Sequence, residues 1–263
     1  SSGFAALALE VVWMRILVQS FSATVYAFAI MLGSFLFGIF YGSRLAADFV
    51  DRYDRPLHLL IMIELWLAAA VGAAGLASFA VPTIFGGLVW GLTAVTSGAF
   101  GVASVVAQAL VAFIIICVPT TLLGATFAIA VKATTTDVTA RARAAGAIYA
   151  ANTVGALIGA LISGFVLIPS FGGQASLVVV AAIFAFAGLV ASLSREAVPR
   201  TPRLIWLPCV VAAALSVAAL RMPAQTVVNY NVQRSTQPEV LYHGEGISHT
   251  VDIVRNDQNE IIM

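Results

Sequence analysis

Apolar positions in this chain neither alternate nor recur with a single helical stripe. They run on for about twenty residues at a time, and the polar residues collect in the short gaps between the runs. A helix that is apolar all round has to be covered by lipid or by a very large core. About 20 helical residues cross a hydrocarbon layer of roughly 30 Å. Six stretches meet that length or nearly do: Gly3 to Ser20, Ala23 to Ser43, Pro56 to Ala80, Gly98 to Val118, Ala144 to Ile168 and Gly173 to Ser194. A seventh, Leu204 to Leu220, reaches about 25 Å and suffices where the bilayer thins slightly. The glycine-rich piece Thr83 to Ser97 fits a re-entrant, interfacial or short crossing segment. Thr120 to Val131 fits the same three descriptions, or a continuation of the fourth stretch past Pro119. The pattern predicts an all-α integral membrane bundle of about seven transmembrane helices over residues 1–221.

The gaps carry an orientation signal, because Lys and Arg are retained on the cytoplasmic side while Asp and Glu count for little. Arg44, Arg52 and Arg55 lie in one gap, Lys132, Arg141 and Arg143 in a second, and Arg195, Arg200 and Arg203 in a third. The connections Val81 to Ser97 and Pro169 to Gln174 carry no charge. Seven crossings put the three basic gaps on one side, with the N-terminus cytoplasmic and the C-terminal tail non-cytoplasmic. The membrane expected is a bacterial inner membrane.

After Arg221 the composition turns polar, and residues 222–263 read as a linker and the start of a soluble, β-containing domain. Ile247, His249, Val251 and Ile253 alternate with Ser248, Thr250 and Asp252, the period-two pattern of a half-buried strand. Asn256-Asp257-Gln258-Asn259 reads as the turn that follows. The chain opens without a methionine inside an apolar run and stops in this strand pattern, so it is expected to be a piece of a longer product.

Composition narrows the class further. The chain is 61% hydrophobic and 10% charged, against about a quarter charged in an ordinary soluble domain. Its formal net charge of +1 and the lack of any basic cluster with exposed aromatics leave no footprint for nucleic acid. Cys117 and Cys209 both fall within apolar runs, as small buried hydrophobes do.

Several local patterns agree with one family. Ala8-Leu9-Glu10-Val11-Val12-Trp13-Met14-Arg15, Tyr26-Ala27-Phe28-Ala29 leading to Gly42-Ser43-Arg44-Leu45-Ala46, and Pro119-Thr120-Thr121-Leu122-Leu123-Gly124-Ala125-Thr126 are three of them. Tyr149-Ala150-Ala151-Asn152-Thr153-Val154-Gly155-Ala156, with Phe165-Val166-Leu167-Ile168-Pro169 downstream, is a fourth. Together they resemble the membrane half of bacterial proteins that fuse a transporter-like helical domain to a spermidine-synthase-like domain. The tail Val240-Leu241-Tyr242-His243-Gly244-Glu245-Gly246 resembles the opening hairpin of the synthase half. The resemblance implies a Rossmann-like aminopropyltransferase portion that takes decarboxylated S-adenosylmethionine, a polyamine-related activity whose catalytic residues are not in this chain. The chain itself is expected to hold no cofactor and no catalytic residue.

Ionisable side chains inside a span are costly unless paired or hydrated, which makes them candidates for function. Here they are Glu10, Arg15 and Glu64. Glu10 and Arg15 are about 140° apart around a helix and do not form an i,i+4 pair. With the N-terminus inside, Glu10, Glu64 and Asn152 all fall about 10 to 12 Å from the inner surface, and Tyr149 one turn shallower. We expect these to form an intramembrane polar cluster between helices. It serves either as hydrogen-bonded packing or as a path for ligand or proton.

The fifth stretch carries Ala151, Gly155, Gly159 and Ser163 at four-residue spacing, and Gly38 and Gly42 give a shorter version. Small residues so placed let helices approach closely, within the chain, in a homo-oligomer or against partner subunits of a larger membrane complex. His243, Glu245 and His249 have metal-ligand side chains at a spacing that fits no helical zinc motif, and no metal site is expected. Two other functions remain open: an accessory subunit of a membrane complex, and a small-molecule, polyamine-like transporter.

Overall fold

The computed structural model describes residues 2–21, 25–50, 52–53, 55–96, 98–134, 138–193, 203–221, 239–245, 250–255 and 261–262. Eight α-helices account for nearly all of them: α1 (Ser2–Phe21), α2 (Val25–Val50), α3 (Pro56–Ser78), α4 (Val81–Val95), α5 (Phe100–Thr134), α6 (Val138–Ile162), α7 (Ile168–Ser192) and α8 (Arg203–Arg221). Ser163–Leu167, a π-helical turn, joins α6 to α7. Five stretches are long and apolar enough to cross a membrane: Ser2–Gln19, Val25–Val50, Pro56–Ser78, Phe100–Ala133 and Ala145–Ser192. The last, of 48 residues, is interrupted at Gly172, whose backbone (φ 76°, ψ 167°) is non-helical. A positive φ of this kind suits glycine, which has no Cβ to clash. Val81–Val95 and Trp206–Arg221 are apolar but shorter.

Contacts between named residues fix how the helices run. Phe4 lies against Gly155 and Gly159, and Ser163 Oγ donates to Ala8 O (3.2 Å), so α1 and α6 are parallel. Gly38 meets Thr120, Gly42 meets Thr121, and Lys132 Nζ donates to Val50 O, so α2 and α5 are parallel. Leu65 approaches Gly188 and Leu177 approaches Gly75, so α3 and α7 are antiparallel. Cys209 packs on the Ile61–Leu65 cluster and Leu215 covers Gly72, which makes α8 parallel to α3. Ser2 reaches Glu64, while Gln108 near the start of α5 donates to Phe21 O at the end of α1 (3.3 Å). Thus α1, α3, α6 and α8 point one way, and α2, α5 and α7 the other.

Two segments left open by the sequence now have a place. Residues 120–131 continue α5 through Pro119, giving one helix of 35 residues, about 52 Å at 1.5 Å per residue. Pro119 cannot donate the usual backbone bond; the next residue, Thr120, sends its hydroxyl back to Ile116 O (2.8 Å). Helix α4 connects the end of α3 to the start of α5, which lie at the same end of the bundle. It therefore does not carry the chain across. Phe85 of α4 packs on Phe21 (ring centroids 5.1 Å apart), and Gly98, at φ 90°, precedes α5.

The core sits around α1 and α3, where Leu9, Trp13, Leu17, Leu65 and Leu67 are fully buried. Outward-facing positions stay apolar too: Leu36, Phe40 and Phe49 on α2, Leu157 and Leu161 on α6, and Phe165 in the π-helical turn are exposed. Lipid is the solvent that suits such a surface.

Beyond α8, strands β1 (Glu239–Glu245), β2 (Thr250–Arg255) and β3 (Ile261–Ile262) pair antiparallel in the order β1-β2-β3, with an irregularity between Val240 and Tyr242. Ile247, His249, the turn expected at 256–259, the linker 222–238, and Arg195 and Arg200 lie outside the described residues.

A Cβ on Gly42 would strike the Thr121 backbone, whereas one on Gly33 meets nothing within 4 Å. Gly42→Leu should therefore lower the thermal unfolding midpoint in detergent, by the equivalent of about 1–3 kcal/mol or more. Gly33→Leu should leave it nearly unchanged, and paired melting curves check the contrast.

Candidate functional site

The site lies at the end of the bundle where α1, α3 and α6 begin and α5 finishes. Glycines create it. A Cβ on Gly3 would collide with the main chain and the amide oxygen of Asn152, and one on Gly159 with the main chain of Phe4. With hydrogen at both positions, α1 and α6 touch backbone to backbone, and Ser2 comes level with Asn152. Pro56 at the first position of α3 starts that helix without wasting a donor, and Glu64 follows about 12 Å along it.

The result is a cavity of about 230 Å³. Its polar lining comes from Ser2, Glu64, Thr126 and Asn152, and its apolar lining from Leu60, Phe127 and Ile148 among others. Glu64 is 4% exposed, and its Oε1 accepts from Ser2 Oγ at 2.6 Å. Its Oε2 is buried and has no hydrogen-bond partner among the described residues. The Thr126 hydroxyl donates to Leu123 O at 2.7 Å, which leaves its oxygen free to accept. Phe127, 40% exposed, meets Tyr149 edge-on with centroids 6.5 Å apart. Ala151, at the rim, is exposed.

Of the five residues expected in an intramembrane cluster, the structure brings Glu64 and Asn152 together. Glu10 and Arg15 are half-buried further along α1 and are not among the described residues lining the cavity. Tyr149 is 65% exposed and touches the cavity only through Phe127. The small-residue row divides: Gly155, Gly159 and Ser163 seat α1, while Ala151 borders the cavity. Gly38 and Gly42 seat α5.

Three lining residues were not singled out in the sequence. Ser2 is a hydroxyl at the start of an apolar run, Thr126 is one of several threonines in the stretch after Pro119, and Phe127 is one of 16 phenylalanines; none is chemically distinctive alone. No group of three or more His, Cys, Asp or Glu side chains capable of holding a metal occurs among the described residues. The side chains of His243 and Glu245 are not described.

No protein-family model, curated protein or solved structure matches this chain.

If the cavity is reached by water, Asn152→Cys in a background with Cys117 and Cys209 replaced should react with a small polar thiol reagent. Ser163→Cys, at a fully buried position, should react on the order of tenfold or more slowly. Mass spectrometry of a labelling time course reads both rates.

Proposed function

We propose that the chain is the membrane-embedded domain of a spermidine-synthase-like fusion protein, crossing a bacterial inner membrane seven times. The helix directions support the count, since α1, α2, α3, α5, α6, α7 and α8 alternate and α4 returns to its own side. Helix α8, the shortest crossing, is accommodated by slight thinning of the bilayer. The basic connections agree with this arrangement. Lys132 at the end of α5 donates to Val50 O at the end of α2, joining two arginine-bearing gaps at one end of the bundle. By the excess of Lys and Arg this end is cytoplasmic, and so is the N-terminus.

One observation carries the fusion reading: a polytopic helical bundle ends at Arg221 and is followed by an antiparallel β1–β2 pair. A synthase-like half would begin with such a pair. That half would bring the Rossmann-like fold and the site for decarboxylated S-adenosylmethionine; this chain supplies the anchor. A small-molecule carrier is the second reading, favoured by the Glu64 cavity.

Intact-mass measurement of the native product in mild detergent tests the fusion. A polypeptide well above 27.4 kDa that transfers aminopropyl or methyl groups is expected. A product near that mass held stoichiometrically by other subunits would replace the fusion reading with that of an accessory subunit. The orientation has its own test: Ser235→Cys should be labelled from the non-cytoplasmic side by a membrane-impermeant maleimide in intact cells with a permeable outer layer. Labelling only after the cytoplasm is opened would reverse the tail's side.

A further inference from the structure

The geometry points to the Glu64 cavity as a binding site for a small organic ammonium ion, a short alkylamine in its protonated form. This inference rests on the cavity alone and not on the fusion reading.

Apart from the Asn152 NH2 group, the polar lining accepts hydrogen bonds. Ser2 spends its hydroxyl proton on Glu64 Oε1, and Thr126 spends its own on Leu123 O. Glu64 Oε2 has no partner among the described residues, and Asn152 offers an amide oxygen beside Gly3. A primary ammonium has three N–H donors and no acceptor, the complement of this set.

Charge and size narrow the ligand further. Glu64 is the only charged residue among the described residues lining the cavity. An anion would meet this carboxyl group with no cationic side chain among the described lining residues. The volume of about 230 Å³ holds several waters at roughly 30 Å³ each, more space than a bare metal ion fills. Leu60, Phe127 and Ile148 give an alkyl chain an apolar wall, and the face of Phe127 attracts a cation.

The test uses the purified full chain in detergent with n-propylammonium chloride as the probe, n-propanol as its neutral isostere and sodium chloride at equal ionic strength. Saturable stabilisation against heat by propylammonium alone is expected, following ligand linkage. Glu64→Gln should weaken binding about tenfold or more, the loss of a charged partner. Ala130→Leu, which fills the cavity from the α5 wall and leaves Glu64 in place, should weaken it as well. Equal stabilisation by propanol or by sodium would overturn the proposal, as would no saturable effect or full retention in Glu64→Gln. The comparison of the three probes on the unaltered chain decides the matter even where a variant fails to assemble.

Discussion

Helices in lipid gain nothing from hiding apolar side chains from one another, because the lipid tails are equally apolar. What holds this bundle together is therefore contact at backbone distance, and glycine is the residue that permits it. On α2 and α5, Gly38, Gly42 and Gly124 meet Thr120, Thr121 and Ile39 so closely that a Cβ at any of the three would overlap an atom of the opposite helix. On α1 and α6, Gly3 and Gly159 do the same. Dispersion over such an interface is small per atom pair and large in sum. Ser163 adds a hydrogen bond to Ala8 O.

The cavity follows from these contacts. Because α1 is pressed onto α6 at Gly3 and Gly159, the first turn of α1 stands between α3 and α6 and places Ser2 against Glu64. Two hydroxyls and an amide then face an acid where four helices meet, while the adjoining residues Leu60 and Ile148 keep the rest of the wall apolar. The packing and the chemistry share residues: a side chain at position 3 would push α1 off α6 and open the polar set at the same time.

Much of the helical architecture is legible in the sequence because its signal is one-dimensional. Run length sets which segments are apolar helices, and the arginine gaps sort their ends. Counting residues from those ends also put Glu64 and Asn152 at one depth. Depth is only one coordinate. Glu10 does not share it in the structure, because Ser2 at the start of α1 is level with Glu64 and Asn152 and Glu10 lies about 12 Å further along; Tyr149 faces outward, because helices that are apolar on every side carry no pattern from which to read their rotation. Pro119 left four outcomes for residues 120–131; in the structure α5 is continuous and packs along α2. Thr126 and Phe127 became site residues only because α5 runs on past that proline.

The unsatisfied oxygen of Glu64 is the feature least explained by stability. A buried carboxyl group costs several kcal/mol when ionised without a close counter-charge, and apolar residues of similar volume would pack the same space without that penalty. Arg15, the other ionisable group of α1 besides Glu10, lies about 20 Å from Ser2 along the helix, too far to serve as a close partner for Glu64. Lys132 and the connection from α2 to α3 lie at the same end of the bundle as the cavity, yet none of their described side chains lines it. Among the described residues the cavity lining offers Glu64 hydroxyl and amide neighbours and no cationic side chain, so packing alone does not account for an acid at this place.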